Sequence, residues 1–380
     1  MYFPNFSVIS TDVILFALFI IALVAMCFHY ITCVFPLANF KNSYIEQSSA
    51  EVPVSIIICA RNEEDNLTEF LPKILTQHYS NFEVVVVNDC SDDNTENVID
   101  EFAKIFPNLK KVTIKEDEYY KHGKKYAILI GIKGTQYNHL LFTDADCFPT
   151  DDNWLKSMAA GFINKKEIVL GYGAYQKTEG FLNKLIRFDA FLIATHYFSA
   201  AIKGKAYMGV GRNLAYTKEL FYKEKGFAKH YHVTSGDDDL FINQACTLEN
   251  TNIAISESAT TLSVPKKTFA DWKRQKQRHL TTAPHYNSES KSRITIAYAC
   301  QYFFYISLIS LLFFKTTWLI ALSGLIIKIT IQLVAFNKAS KKLNENDLWQ
   351  FSFVYELLLL FIYPIFHISK LLHKPNKWRS

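Results

Sequence analysis

The chain has 380 residues, 49% of them hydrophobic and 15% aromatic, with a formal net charge of +5. That length allows two domains, and a modest basic balance without a known reading motif excludes a nucleic-acid footprint while suiting a domain that lies on an anionic leaflet. The seven cysteines, at 27, 33, 59, 90, 147, 246 and 300, are scattered and include no Cys-X-X-Cys pair, which argues against disulfides or a zinc site and for a reducing compartment.

From Val13 to Phe35 the chain runs for about 23 residues without a charge, enough to cross a hydrocarbon core at 1.5 Å per residue. Asp12 precedes the run and no Lys or Arg does, so it reads as a retained anchor rather than a signal peptide. Residues 1–50 are thus expected to be an amino-terminal transmembrane anchor and linker.

Residues 51–292 read as an α/β domain. Val54 to Ala60 is a buried strand that breaks at Arg61-Asn62-Glu63-Glu64, where Asn62 is placed to cap a helix running to about Gln77. Glu83 to Asn88 is a second buried strand, ending in Asp89-Cys-Ser-Asp-Asp-Asn-Thr95 before a helix that Pro107 terminates. Lys110 to Lys115 looks like a third strand, followed by His122-Gly-Lys-Lys125 and a helix from about Tyr126 to Lys133. Strands alternating with helices at this spacing imply right-handed crossovers and a mostly parallel, Rossmann-like sheet.

The next strand, Leu140 to Thr143, ends in Asp144-Ala-Asp146. At the carboxyl end of a parallel strand, two such acids can hold a divalent cation that in turn holds a diphosphate. Taken alone, they fit equally well a surface turn continued by Pro149 and Asp151-Asp152.

Downstream lie a strand, Glu167 to Gly173, and an amphipathic stretch, Phe181 to Phe198, whose charges Lys184, Arg187 and Asp189 cluster away from a wide apolar face. That stretch fits a helix in the headgroup region and a helix packed on the sheet equally well. Ser235-Gly-Asp-Asp-Asp-Leu240 then opens another helix. Three adjacent carboxylates repel one another, so at least one should have a raised pKa and serve as a proton acceptor, although acids also suit a helix amino terminus for its dipole alone.

Residues 293–380 are expected to form carboxyl-terminal transmembrane helices and a basic tail, with apolar segments Ile294 to Phe314, Thr316 to Phe336 and Leu348 to Ser369. Lys328 requires the second to face protein or a polar cavity, and Glu356 and Pro364 make the third a candidate for a kinked, interfacial or re-entrant segment. Met1 to Thr11 has no Lys or Arg, whereas the middle region and the loop Asn337 to Asp347, with Lys338, Lys341 and Lys342, are basic, which puts the amino terminus outside and the central domain inside. The tail, with Lys370, Lys374, Lys377 and Arg379, also prefers the inside, which three full carboxyl-terminal crossings would forbid.

Several of these motifs, in this order over Pro53 to Thr282, resemble the membrane-bound, inverting family-2 glycosyltransferases of GT-A fold. Ala60-Arg61-Asn62-Glu63-Glu64 resembles the family's first nucleotide-contacting loop, and Asn88-Asp89-Cys-Ser-Asp-Asp-Asn-Thr95 its Asp-Asp-Gly-Ser-x-Asp-x-Thr motif, in which Asp89 would read the base. Gly123-Lys124 resembles the Gly-Lys pair, and Asp144-Ala-Asp146 the metal motif, with Asp144 towards the ribose and Asp146 on a Mg2+ or Mn2+ ion. Met208-Gly-Val-Gly211-Arg-Asn213 is similar to the segment near the acceptor, and Asp237-Asp238 to the motif carrying the catalytic base, which maps onto Asp238. Gln275, Arg278 and His279 resemble the Gln-x-x-Arg-Trp motif, with His279 in the Trp position and Gln275 and Arg278 on one helical face towards a diphosphate.

The resemblance implies a multi-pass inner-membrane enzyme with a cytoplasmic catalytic domain. It would move a sugar from a nucleoside-diphosphate sugar, UDP-linked in the commonest case, to a lipid-linked saccharide, a growing polysaccharide or another membrane-associated acceptor. The alternative is an inactive nucleotide-binding membrane scaffold or sensor, which missing acids would favour and which the full set of acids disfavours.

Overall fold

The computed structural model describes residues 11–41, 51–115, 123–313 and 317–372. The uncharged amino-terminal ten residues, His122 and the tail from His373 to Ser380, with Lys374, Lys377 and Arg379, lie outside the described residues. The first helix, α1 (Thr11–Cys33), carries the predicted anchor and leads through a single turn, α2 (Phe35–Ala38), towards the α/β domain.

That domain begins with β1 (Val54–Ala60), α3 (Glu64–Leu75), β2 (Phe82–Asp89), α4 (Thr95–Ile105), β3 (Leu109–Ile114), α5 (Lys124–Gly134) and β4 (His139–Asp144). The continuous apolar runs of β1, β2 and β4, β-branched in the first two, leave no solvent side, and these strands are buried on both faces. All pair in parallel, in the order β3-β2-β1-β4, so β1 and β4 are neighbours at the switch point as expected. Helix α5 lies close on the sheet at Gly131, where a Cβ would stand 2.9 Å from Ile57 Cγ2.

The chain then adds β5 (Cys147–Pro149), α6 (Trp154–Ala159), β6 (Ile168–Gly171), β7 (Gly173–Tyr175), α7 (Phe181–Ile202), β8 (Leu214–Thr217), α8 (Lys218–Lys223), α9 (Asp239–Ala245), β9 (Thr251–Ala254) and β10 (Thr261–Ser263). Strands β8, β6 and β9 extend the main sheet, with β8 antiparallel to both β4 and β6, while β5, β10 and β7 form a separate three-stranded sheet. The single strand expected over Glu167 to Gly173 is therefore two, β6 and β7, serving different sheets.

Two local expectations are corrected. Asn62 does not cap α3: it adopts a left-handed φ of 56°, and its Oδ1 accepts from the backbone N–H of Asp92 at 2.8 Å. Of the two readings of Phe181 to Phe198, the headgroup helix gives way to the packed one: α7 is mostly buried against β7, β9 and the apolar helices. Arg187 and Asp189 are 2% and 3% exposed. Arg187 pairs with Glu345 and Asp347 at 2.5 and 2.6 Å, and Asp189 with Lys276 at 2.6 Å.

The chain ends with α10 (Phe269–His279), α11 (Ser288–Leu312), α12 (Trp318–Lys342) and α13 (Ser352–Leu372). Helices α1, α7, α11, α12 and α13 are each long and apolar enough to cross a membrane. Lys328, in mid-α12, faces protein as its cost in lipid demands: it is 1% exposed, and its Nζ lies 2.6 Å from Glu356 of α13.

Candidate active site

Two loops at the carboxyl ends of β1 and β2 are bound to each other. Ser91 Oγ accepts from Asn62 N at 3.0 Å, Thr95 Oγ1 from Glu63 N at 2.8 Å, and Asp93 from Glu64 N at 3.2 Å. The polar residues of 91–95 thus hold the Ala60-to-Glu64 loop in place, and Asn88 Oδ1 accepts from Ser91 N at 3.3 Å. Ala60 is fully buried, Arg61 half-buried, and Asp89 sits fully buried at the last residue of β2.

Lys124 opens α5 above the ends of β1 and β4. Its Nζ lies 2.6 Å from Asp144 Oδ1 and 3.5 Å from Asp237 Oδ2. Burial opposes its charge, but Asp144, Asp237 and Asp238 outweigh it and hold the ammonium well above the usual lysine pKa. Lys124, Asp144, Gly211, Asp237 and Asp238 line one cleft, floored by Cys59. The Cys59 thiol is pushed up by burial and by Asp237, Asp144 and Asp89, so the electrostatic reach of Asp89 extends to the same cleft. Carboxylates from positions 144, 237 and 238 therefore converge on this cleft.

At the start of α9, Asp238 Oδ2 accepts from Gly211 N at 2.8 Å and Oδ1 from Asp239 N at 2.7 Å. Burial, with the charges of Asp237 and Asp239, pushes its pKa up to about 7, against the pull of Lys124. Asp239 plays a different part. Its Oδ2 accepts from Tyr286 at 2.7 Å and from Thr282, which fastens α9 to the chain between α10 and α11. Lys125, which the sequence reading passed over, donates to the carbonyls of His230 and Val233 at 2.7 and 2.8 Å and so fixes the segment leading into Asp237.

Asp144, Asp146 and Cys147 offer ligand atoms within 4.8 Å of one another. Burial would raise Asp144, but Lys124, Arg212 and Arg278 hold it low, whereas burial and Asp144 push Asp146 up. Burial also keeps Cys147 a thiol, engaged with Ser263 Oγ at 2.9 Å. Two hard carboxylates beside an inert thiol fit Mg2+ or Mn2+ rather than a thiophilic ion. Glu63 belongs to this corner as well. Burial, with the charges of Asp146 and Asp144, raises its pKa to about 7 despite the 2.5 Å bond from Asn66.

Arg212 was quoted in a motif but assigned no role. It is held by Nε and Nη2 on the Gly173 carbonyl, at 2.9 and 2.6 Å, and lies 4.7 Å over the Tyr175 ring, with its charge acting on Asp144 and Asp146. Asn213, by contrast, does not face an acceptor. It is fully buried, donates to the carbonyls of Tyr172 and Ala259 and accepts from Trp154 Nε1, so its amide is spent on the core.

Helix α10 closes the far side. Lys276 on its inner face pairs with Asp189, and Trp272 is buried, which leaves Gln275 and Arg278 half-buried and His279 exposed, with the Arg278 charge acting on Asp144.

Residues 55–224 match the family model "Glycosyl transferase family 2". The chain is 28% identical over 122 residues to an uncharacterized glycosyltransferase of Haemophilus influenzae, covering 32% of this chain and 36% of that protein. It is 31% identical over 99 residues to a poly-beta-1,6-N-acetyl-D-glucosamine synthase of Staphylococcus epidermidis, covering 26% and 23%. The matches thus span about a third and about a quarter of these curated relatives. Among solved structures, the mannosyltransferase PcManGT from Pyrobaculum calidifontis, in complex with GDP-Man and Mn2+, superposes with a TM-score of 0.56 over 91% of this chain and 98% of that one, at 16% identity, a likeness of fold. Residues 55–224 thus resemble a glycosyl transferase family 2 domain, carried on an α/β architecture of GT-A fold.

Proposed function

We propose that the chain is an inverting glycosyltransferase that moves a sugar from a nucleoside-diphosphate sugar to a hydroxyl of a membrane-associated acceptor. The observation that carries this reading is the bridge Asp144–Lys124–Asp237, which sets a donor-side acid, a cation and the Asp237-Asp238 pair in one cleft. The family match, and relatives and neighbours whose names specify N-acetylglucosamine polymer synthesis or GDP-Man binding, support the same chemistry.

In this mechanism Asp238 accepts the proton of the acceptor hydroxyl as that oxygen bonds to the anomeric carbon. The bond from that carbon to the diphosphate breaks on the opposite face, through an oxocarbenium-like state, and the electron pair leaves with the nucleoside diphosphate. Lys124 and Arg278 balance the leaving charge, Asp89 and the Ala60–Arg61–Glu63 loop receive the nucleoside, and Gly211 and His279 border the acceptor side. A divalent ion held by Asp146 and Asp144 would supply further neutralisation of the diphosphate. Partners are a nucleotide-sugar donor and a lipid-linked or saccharide acceptor, with the enzyme in the inner membrane and its catalytic domain in the cytoplasm.

The test is thermal stability of the detergent-solubilised protein with a panel of UDP- and GDP-sugars, with Mn2+ or EDTA. A ligand that binds only the native state raises the midpoint. One nucleotide class should do so in a metal-dependent way; no shift with any nucleotide sugar would overturn the donor assignment.

A further inference from the structure

Helix α13 matches a membrane span by length and composition, yet besides α11 and α12 it contacts α7 and α10 of the α/β domain. Just before it, Glu345 and Asp347 pair with Arg187 of α7, and Asn344 donates to Glu257 of the α/β domain at 3.0 Å. Midway, Tyr363 donates to Asp189 of the same α7. Near its end, Phe366 packs against Phe269 and Trp272 of α10, at ring distances of 5.7 and 5.3 Å, and Lys370 Nζ donates to the Leu280 carbonyl at 2.8 Å. A 21-residue helix is about 31 Å long, the thickness of the hydrocarbon core, so a crossing helix would carry its far end about 30 Å from the catalytic domain. Both ends of α13 touch that domain.

The path across α11 agrees. Glu356 meets Gln301, Leu360 meets Tyr302, and Tyr363 meets Tyr298, so α13 traverses two of its own turns while shifting by about one turn along α11. Tyr302 donates to the Leu360 carbonyl at 2.7 Å, the acceptor that Pro364 leaves without its helical N–H. The outward side carries an apolar stripe at helical spacing: Leu357, Phe361, Ile365 and Ile368, of which Phe361 is 63% exposed. Helix α1 presents a similar stripe, with Ile21, Val24 and Phe28.

We infer that α1, α11 and α12 cross the bilayer and that α13 lies in the membrane interface on the catalytic side, its stripe in the acyl-chain boundary. This goes beyond the catalytic reading and does not depend on it. It reconciles the positive charges of the tail with the rest of the chain, since two carboxyl-terminal crossings return the tail to the side of the catalytic domain. It also gives the bilayer a handle on the site, because α13 packs directly on α10, which carries Gln275, Arg278 and His279.

The test compares two fusions of the full chain to a reporter that is active on one side of the membrane only, one after Ser380 and one within the α11–α12 loop at 313–317. The two should report opposite sides; the same side for both means that α13 crosses and overturns the inference. Depth is read separately with Phe361→Trp in vesicles whose lipids are brominated near the headgroup or near the chain end. Stronger quenching by the shallow label, over the wild-type signal, is expected. Stronger quenching by the deep label overturns the interfacial placement even with the tail on the catalytic side.

Discussion

The backbone N–H of Gly211 donates to Asp238 Oδ2 over 2.8 Å, across the cleft from the start of α9. Together with the bond from Asp239 N to Oδ1, it fixes the plane of the carboxylate while leaving each oxygen a further lone pair. With its pKa pushed up to about 7, Asp238 is half protonated near neutrality. Since the base must be ionised, kcat/KM should rise as pH increases from about 6 to about 8 and then level. A rate independent of pH across that window would contradict the role.

Asp146 carries the opposite lesson, a residue kept at a cost in stability. Burial and the Asp144 charge raise its pKa, so its folded form prefers the proton, and the stability linked to that preference is lost as pH rises through the folded pKa. Asp146→Asn should therefore raise the melting temperature of the metal-free protein at pH 8 and abolish the stabilisation by Mn2+ plus nucleotide. Unchanged metal-dependent stabilisation in this variant would remove Asp146 from the metal site.

Arg212 depends on an absent side chain. A Cβ at Gly173 would stand 2.4 Å from Arg212 Nε, so Gly173→Ala must displace the guanidinium. A shift of about 1 Å near the reacting groups can lower turnover on the order of 10²-fold. Gly173→Ala should show such a loss with unchanged far-ultraviolet circular dichroism, and wild-type turnover would show that the position of Arg212 is immaterial.

Lys328 and Glu356 form an ion pair at 1% and 2% exposure, with Tyr30 donating to both Glu356 oxygens at 3.0 and 3.1 Å. Removing one partner of such a pair costs about 3–5 kcal/mol, whereas replacing both by apolar groups costs much less. Lys328→Met alone should lower the melting temperature in detergent more than Lys328→Met with Glu356→Met; equal losses would show that the pair is not coupled.

What the sequence made legible was the sheet and the ends of its strands. Continuous apolar runs identify β1, β2 and β4 by themselves, and parallel connection puts Asp89, Asp144 and Asp146 on one edge. What it hid were partners far along the chain. Arg187 and Asp189 look like a solvated cluster because Glu345, Asp347 and Lys276, which bury them, are 87 or more positions away. Asn62 and Asn213 sit in motif segments, yet one bridges two loops and the other is sealed in the core, outcomes set by packing rather than residue type. Hydropathy likewise measures the length of α13 and not its direction.

The most direct measurement of the central claim is Asp238→Asn, assayed for sugar transfer and for metal-dependent nucleotide binding in the same preparation. A positioned base is worth roughly 10²- to 10⁴-fold, so transfer should fall by that factor while nucleotide binding stays near that of the wild type. Near-normal transfer, with binding intact, would contradict Asp238 as the base.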